Sequence, residues 1–200
     1  MSILPGSMQK ELASFQSLTA KDIAPVPLVG DKGPISDQID FTGNKRTIVT
    51  FLRHCGCPFA EKTFRRLTAF SVKHPEVRCI AVSHSSPEAT DRWVVAVGGE
   101  WEVEVVVDPG RELYAQWGLG PSTAWHALSP WTLYRAYRLG QDEGIWNRAT
   151  ESGSRWQTGG VFAVDEAGFV RHARVAATAD EVPDFDEVLA ALDRGRNGLP

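Results

Sequence analysis

The stretch that decides the fold is Thr47-Ile-Val-Thr-Phe-Leu-Arg-His-Cys-Gly-Cys-Pro-Phe59. Its first half is a near-continuous apolar run with β-branched residues, which predicts a strand buried on both faces. The run stops at a polar pair, which is followed by two cysteines on either side of Gly56. Cysteines at the carboxyl end of a buried strand lie where open α/β sheets place their chemistry. The sequence therefore directs attention to Cys55 and Cys57.

A helix is predicted directly after Cys57. Pro58 occupies the favoured first helical position, and apolar side chains then recur at three- and four-residue spacing, as a helix with one buried face requires. Cys57 is thereby the predicted N-cap residue, with its sulfur facing unpaired backbone N–H groups and the positive end of the helix dipole. Both favour the thiolate, which is the nucleophilic form of cysteine. In the alternative interpretation, Cys57 is only a small cap and Cys55 a buried apolar residue.

Length and composition favour one globular domain with small partners. The chain has 200 residues, 42% of them hydrophobic, and 25 acidic against 21 basic residues give a net charge of −4. Without a long run of one charge, a nucleic-acid or polybasic membrane surface is not expected. The first residues lack the pattern of a signal peptide, and no apolar stretch is long enough to span a membrane. Three cysteines are too few for a disulfide scaffold, so we expect a cytoplasmic protein.

The remaining segments alternate between strand and helix, which indicates an α/β fold with a parallel core. We expect a leader over residues 1–24 that contains a short helix at 9–18, one domain over 25–195 and a tail over 196–200. The other predicted elements are strands at 77–83 and 102–107, helices from Ser86 and over 111–117, a hairpin over 159–175 and a last helix over 182–193.

An aromatic insertion is predicted over residues 119–158, which contain four of the seven tryptophans. Connections of this length are usually functional or disordered, and the aromatic content argues against disorder. Residues 129–139 have helical spacing, with Gly140 as the expected stop. The insertion is interpreted as a lid over the cysteines, or as aromatic side chains that cover the side of the core or a dimer contact.

Two segments resemble one known family. Residues 51–59 and 156–165 resemble the peroxiredoxin-like branch of the alkyl hydroperoxide reductase/thiol-specific antioxidant family, and the resemblance covers roughly residues 25–192. It implies a thioredoxin-like fold with a central mixed sheet flanked by helices. Members of this branch often carry Gly-Cys-Pro-x-Cys, which aligns its first cysteine with Cys57 and its second with Ala60. This chain lacks that second cysteine and has Cys55 instead, and a disulfide across Cys-x-Cys would be strained.

The resemblance implies a thiol-based oxidoreductase without a bound cofactor or metal. The Cys57 thiolate would attack a peroxide or a disulfide, His54 would stabilise that thiolate, and Cys55 would be the resolving thiol. The implied partners are a small peroxide, disulfide or apolar organic substrate and an external thiol reductant, with a homodimer left open and neither nucleic acid nor membrane expected. The candidate substrate-binding residues are Trp125, His126, Trp156, Thr158 and Gly159.

Two other functions remain open at this point. The fold could serve a binding module or a specialised biosynthetic enzyme whose pocket is formed by Trp125, His126, Trp131, Trp146 and Trp156. A metal site could be formed by Cys55, Cys57 and a histidine such as His54 or His84, although the spacing lacks the second ligand pair of structural zinc sites. Cys79 lies within a predicted strand and is interpreted as a core residue.

Overall fold

The computed structural model describes residues 6–14, 21–122 and 129–196. Within these ranges the strands are β1 (Thr47–Phe51), β2 (Arg78–Ser83), β3 (Val103–Val107), β4 (Gly160–Val164) and β5 (Val170–Val175). The helices are α1 (Gly6–Ser14), α2 (Pro58–Lys73), α3 (Pro87–Ala96), α4 (Glu112–Gln116), α5 (Pro130–Glu143) and α6 (Phe185–Arg196). None of these helices is long and apolar enough to cross a membrane.

The strands form one mixed sheet in the order β3-β2-β1-β4-β5. β1 is parallel to β2, and β2 is parallel to β3. β4 runs antiparallel to both β1 and β5. The predicted central mixed sheet flanked by helices is confirmed. Because β1 is the central strand, the residues that follow it leave the sheet in the middle of its edge.

β1 separates two apolar clusters, since alternate side chains of a strand point to opposite faces. Ile48 and Leu52 belong to the cluster beneath α2 and α6. Val49 and Phe51 belong to the cluster on the other face, where the Phe51 ring packs edge-on against Tyr114 at a centroid distance of 5.0 Å. All five residues of β1 are buried, as the sequence predicts.

Several predicted helix boundaries are wrong. α1 begins at Gly6 rather than at residue 9, and α6 ends at Arg196 rather than at residue 193. α5 continues through Gly140, where the missing side chain leaves room for the Trp146 ring, since a β-carbon would lie 2.4 Å from it, and the helix ends at Gly144 with φ +69°. α6 begins at Phe185 rather than Val182, because Asp184 Oδ1 accepts hydrogen bonds from the backbone N–H groups of Asp186 and Glu187 at 3.0 and 3.3 Å. The part of the predicted leader helix after Ser14 lies outside the described residues.

Candidate active site

Cys57 is the N-cap residue of α2, as its sequence position predicts. Its backbone is extended, with φ −71° and ψ 126°, and Pro58 is the first helical residue. The Cys57 N–H donates to the His54 carbonyl at 3.1 Å, and its own carbonyl accepts from Glu61 at 3.1 Å. These bonds close a tight turn over residues 54–57, which we call the cysteine turn. The side chain is buried, and its sulfur makes no capping hydrogen bond to the described first turn of the helix.

The direct polar partner of the Cys57 sulfur is Arg53. Arg53 Nη1 lies 3.3 Å from Cys57 Sγ, and Arg53 Nη2 donates to the Arg155 carbonyl at 2.6 Å. A guanidinium is always charged and presents its donors in a rigid plane, so it provides fixed positive charge beside the sulfur. The sequence interpretation missed Arg53. The available signal was a cation four residues before the cysteine, at the end of an otherwise apolar strand.

His54 does not supply the positive charge expected of it. The side chain is buried, and neither ring nitrogen has a hydrogen-bond partner among the described residues. Burial first, and then the nearby charges of Arg53 and Arg155, hold the pKa of His54 well below its usual value, so the imidazole is neutral. The expectation that a cationic His54 stabilises the thiolate is wrong. Its backbone carbonyl contributes instead, by closing the cysteine turn.

Cys55 faces a different part of the molecule from Cys57. Its sulfur lies 3.6 Å from Ser83 Oγ and 4.0 Å from Thr90 Oγ1, and its backbone N–H donates to Ser85 Oγ at 3.2 Å. Burial raises the pKa of the Cys55 thiol above its usual value. Both cysteines are free thiols with different polar partners. A bond between the two sulfurs therefore requires the cysteine turn to rearrange.

Residues 145–158, which we call the strap, lie across the cysteine turn. The Arg148 N–H donates to the Gly56 carbonyl at 3.0 Å, and its guanidinium binds the buried carboxylate of Glu61 in α2. Further along, the Ser154 N–H donates to His84 Nε2 at 3.1 Å. Gly153, with φ +87°, allows this approach, because a β-carbon there would lie 2.9 Å from Ser85 Oγ. The strap thereby lies against the cysteine turn at Gly56 and against the end of β2 at His84 and Ser85.

His84 is neutral and holds the strap in place. His84 Nε2 lies 3.1 Å from both the backbone nitrogen and the carbonyl oxygen of Ser154, and Nδ1 lies 3.4 Å from the Tyr114 hydroxyl. Burial lowers the pKa of His84 to about 4. The Tyr114 hydroxyl lies 2.6 Å from the Leu52 carbonyl and 2.8 Å from that of Val82. His84 therefore connects the strap to the ends of β1 and β2.

The candidate substrate-binding residues fall into three groups. Thr158 is buried and Gly159 lies against the end of β1, where a β-carbon would be 2.7 Å from the Phe51 carbonyl and 3.6 Å from the Arg53 side chain. Trp156 is half-buried at the end of the strap. Trp125 and His126 lie outside the described residues.

The other aromatic residues of the insertion face outward. The exposed fractions are 60% for Trp131, 57% for Tyr137 and 49% for Trp146. The Trp131 ring stacks on Tyr134 at a centroid distance of 5.5 Å. Polar groups of the strap, not these aromatic rings, make the contacts described above with the cysteine turn. An aromatic pocket that includes Trp131 and Trp146 is therefore not supported by the described part of the insertion.

The described residues include no group of three or more histidine, cysteine or acidic side chains arranged to hold a metal ion. Cys79 is buried within β2, where its sulfur contacts the Val77 carbonyl at 3.8 Å. Its position agrees with a core role. The thiols placed at the end of the central strand are therefore Cys55 and Cys57.

The fold and the helix-capping cysteine define a thioredoxin-like thiol protein. A peroxiredoxin-like protein from Aquifex aeolicus is similar, with a TM-score of 0.60 and 15% identity over 86% of this chain and 90% of that chain. A thiol peroxidase from Chromobacterium violaceum has a TM-score of 0.56 and 17% identity over 89% and 93%. A cysteine-to-serine mutant of peroxiredoxin 6 of Arenicola marina has a TM-score of 0.59 and 14% identity over 84% and 73%.

The family of the chain follows from a match between its sequence and a family model. Residues 62–177 match the model of the AhpC/TSA antioxidant enzyme family. The chain belongs to this family and is a thiol-based oxidoreductase of the peroxiredoxin-like type. No curated protein matches the chain. Because the matched region begins after the cysteine turn, the roles of Cys55 and Cys57 have to be argued from the geometry of the turn.

Proposed function

We propose that Cys57 is the nucleophile of a thiol-dependent peroxidase. The observation that carries this assignment is the contact of 3.3 Å between the Cys57 sulfur and Arg53 Nη1, at the N-terminus of a 16-residue helix. The positive guanidinium and the positive end of the helix dipole both favour the thiolate over the thiol. Cys55 has hydroxyl neighbours and a raised pKa, so its thiol is the less reactive of the two.

The first chemical step is a displacement on oxygen. The Cys57 thiolate attacks the terminal oxygen of a hydroperoxide, an S–O bond forms, and the O–O bond breaks. The leaving alkoxide or hydroxide takes a proton from water and departs as alcohol or water. Cys57 is thereby oxidised by two electrons to a sulfenic acid, and the peroxide is reduced.

The second step restores the thiol. An external thiol can attack the sulfenic sulfur, form a mixed disulfide and release water, and a second external thiol then returns Cys57 to its reduced form. Cys55 could replace the first of these thiols, but its sulfur must first leave Ser83 and Thr90. Both routes also require a local opening around Cys57, because its side chain is only 3% exposed.

The test uses mass spectrometry and rapid kinetics on the full chain. We expect Cys57→Ser to abolish oxidation by stoichiometric hydrogen peroxide and tert-butyl hydroperoxide. Cys55→Ser should form the sulfenic acid at an unchanged rate, and a second equivalent of peroxide should then over-oxidise it to the sulfinic acid if Cys55 is the resolving thiol of the wild type. Cys79→Ser is the matched control and should react like the wild type. Loss of the fast step in Cys55→Ser together with its retention in Cys57→Ser would exchange the two roles.

Arg53 is tested separately, because its contribution comes from charge and geometry. Arg53→Met removes the charge and keeps an unbranched side chain, so we expect a slower first step with peroxide. Arg53→Lys keeps the charge but lacks the fork that joins the sulfur to the Arg155 carbonyl, and should recover part of the rate. Equal first-step rates in wild type and Arg53→Met would show that Arg53 does not activate the thiol.

A further inference from the structure

The end of helix α1 packs against the strap close to the cysteine turn. The Arg155 N–H donates to the Ser14 carbonyl at 3.0 Å, and Arg155 Nε lies 3.0 Å from Ser14 Oγ, to which it donates. Ser14 is only 2% exposed, although it belongs to the segment that the sequence assigns to a leader before the domain. One residue of the leader therefore binds both the backbone and the side chain of Arg155.

Arg155 is also held from within the strap. Arg155 Nη2 donates to Thr150 Oγ1 at 2.8 Å, and the Thr150 side chain is buried. Thr150 lies next to the cysteine turn, since a β-carbon on Gly56 would be 3.4 Å from Thr150 Oγ1. Hydrogen bonds to Ser14 and Thr150, two residues without charge, therefore restrict the movement of Arg155 and of its carbonyl group.

The Arg155 carbonyl in turn limits how Arg53 faces the thiol. Arg53 Nη2 donates to this carbonyl at 2.6 Å, and Arg53 Nη1 lies 3.3 Å from the Cys57 sulfur. Arg53 Nε has no hydrogen-bond partner among the described residues. Because a guanidinium is rigid and planar, binding Nη2 at the carbonyl restricts the positions that Nη1 can take. The carbonyl is therefore the contact that keeps the charge of Arg53 beside the sulfur.

We propose that Ser14 is a positioning residue for Cys57 and that it acts through Arg155 and Arg53. The contacts run from α1 to the strap, from the strap to the Arg53 guanidinium, and from the guanidinium to the sulfur. The inference rests on the proposed role of Cys57 as the nucleophile and gives the leader helix a part in activating it. Without the Ser14 hydroxyl, residue 155 gains freedom, Arg53 spends less time beside the sulfur, and the thiolate loses part of a charge-assisted contact.

The first test measures the thiolate of Cys57 directly, by its ultraviolet absorbance as a function of pH. The signal is the difference between each protein and the same protein with Cys57→Ser, so it does not depend on access to the sulfur. Loss of one hydrogen bond changes an equilibrium by about two- to tenfold, and only part of this change reaches the sulfur. We expect Ser14→Ala to move the midpoint of this signal up by about 0.3–0.7 pH units, which corresponds to about a two- to fivefold change. Ser14→Thr retains a hydroxyl group and should restore most of the shift.

A second test shows whether the effect passes through Arg53. Arg53→Met removes the charge and should move the midpoint further than Ser14→Ala does. In the Arg53→Met protein, Ser14→Ala should then cause no additional shift, because the residue through which it acts is missing. Thr150→Val removes another hydrogen bond of Arg155 without changing a charge and should behave like Ser14→Ala in both proteins. Arg155 itself is kept in all of these proteins, because its own charge acts on the neighbouring His54.

Ser71→Ala is the matched control, since it removes a buried serine hydroxyl far from the cysteine turn. Ser71 lies near the other end of α2, is 1% exposed, and donates to the Thr68 carbonyl at 2.9 Å. Its replacement should leave the midpoint unchanged, whatever its effect on Tm. An equal shift in Ser71→Ala and Ser14→Ala would show a general effect of destabilisation and would overturn the positioning role.

The outcomes separate this inference from the proposed peroxidase function. An unchanged midpoint in Ser14→Ala, or shifts of Ser14→Ala and Arg53→Met that add in the double variant, overturns the positioning role alone. Failure of the wild type to reduce hydrogen peroxide overturns the peroxidase function. In that case a midpoint that Ser14→Ala shifts only when Arg53 is present still supports the positioning of Arg53 by Ser14.

Discussion

Glu61 is the residue whose replacement should release the strap from the cysteine turn. Its carboxylate lies in the first turn of α2 with a side-chain exposure of 2%. Glu61 Oε2 accepts from Arg148 Nε at 2.8 Å, and Oε1 accepts from Arg65 Nη2 at 2.6 Å. Arg148 belongs to the strap and also donates its backbone N–H to Gly56 at 3.0 Å. This ion pair therefore ties the strap to the helix that Cys57 caps.

The expected loss in the free energy of strap closure follows from replacing hydrogen bonds to a charged carboxylate with hydrogen bonds to a neutral amide. Glu61→Gln keeps the size of the side chain and one acceptor oxygen, whereas hydrogen bonds to charged groups contribute about 1.5–3 kcal/mol against roughly 1 kcal/mol for neutral ones. The Arg148 side chain is 43% exposed, so its freed guanidinium regains water and part of the loss is recovered. We expect strap closure to weaken by about 1–2 kcal/mol, which raises the open population by about five- to thirtyfold.

Hydrogen exchange and thiol labelling measure this opening independently. The Arg148 amide should exchange about five- to thirtyfold faster in Glu61→Gln, because its bond to Gly56 forms only when the strap is closed. Cys55, which is 4% exposed, should react faster with N-ethylmaleimide by a similar factor. Cys79 in β2 is 1% exposed and outside the strap, so its labelling reports global opening and should not change.

The control has the same substitution at a site remote from the strap. Glu104 in β3 forms hydrogen bonds with Arg78, among them two at 2.9 and 3.0 Å, and Glu104→Gln should leave all three rates unchanged. Equal acceleration of Cys55 and Cys79 labelling would show that Glu61→Gln acts by global destabilisation. Unchanged exchange at Arg148 would refute the role of Glu61 in holding the strap.

Two further predictions concern the groups beneath the strap. The folded pKa of His84, about 4, lies below its usual 6.5, so its contribution to stability is complete above about pH 6.5 and is lost as pH falls towards 4. At about 1.4 kcal/mol per pH unit, His84 accounts for about 2 kcal/mol of the stability lost between pH 7 and 5, and the buried His54 adds a loss of the same sign. Urea unfolding should therefore show a loss between these pH values that is about 2 kcal/mol smaller in His84→Gln than in the wild type. Gly153→Ala should destabilise by about 1–3 kcal/mol, from its left-handed backbone and its contact with Ser85 Oγ. Gly168→Ala, with φ +81° and no atom closer than 3.7 Å, should show only the backbone cost, and equal losses in both variants would rule out the contact.

Local patterns in the sequence predict the central element of the site well. The β-branched run of β1 and Pro58 after Cys57 are local signals, and the structure has the strand and the cap at these positions. The predictions that fail depend on contacts between residues that are separated in the sequence. Gly140 is a stop signal by local rules, but the Trp146 ring packs on it and the helix continues. Periodicity contains no information on which side chains meet after a chain reversal.

The same limit explains why the sequence does not indicate Arg53 and why it favours His54 as the cation beside the thiol. In isolation, a histidine beside a cysteine is the more obvious cation, because its usual pKa lies near neutrality. Burial of His54 reverses that argument, and burial depends on the strap and on other residues far away in the sequence. Arg53 is joined to Arg155, which lies 102 residues further along the chain. No local pattern links these two positions.

Assigning the charge to Arg53 rather than His54 changes the expected regulation of the site. A histidine would gain and lose its charge across the physiological pH range, so thiolate stabilisation would itself depend on pH. Arginine remains charged throughout this range, and the buried imidazoles of His54 and His84 remain neutral. The positive charge beside Cys57 is therefore constant, and access to the sulfur becomes the variable quantity. Since Arg53 also binds the Arg155 carbonyl, movement of the strap and exposure of the thiol involve the same side chain.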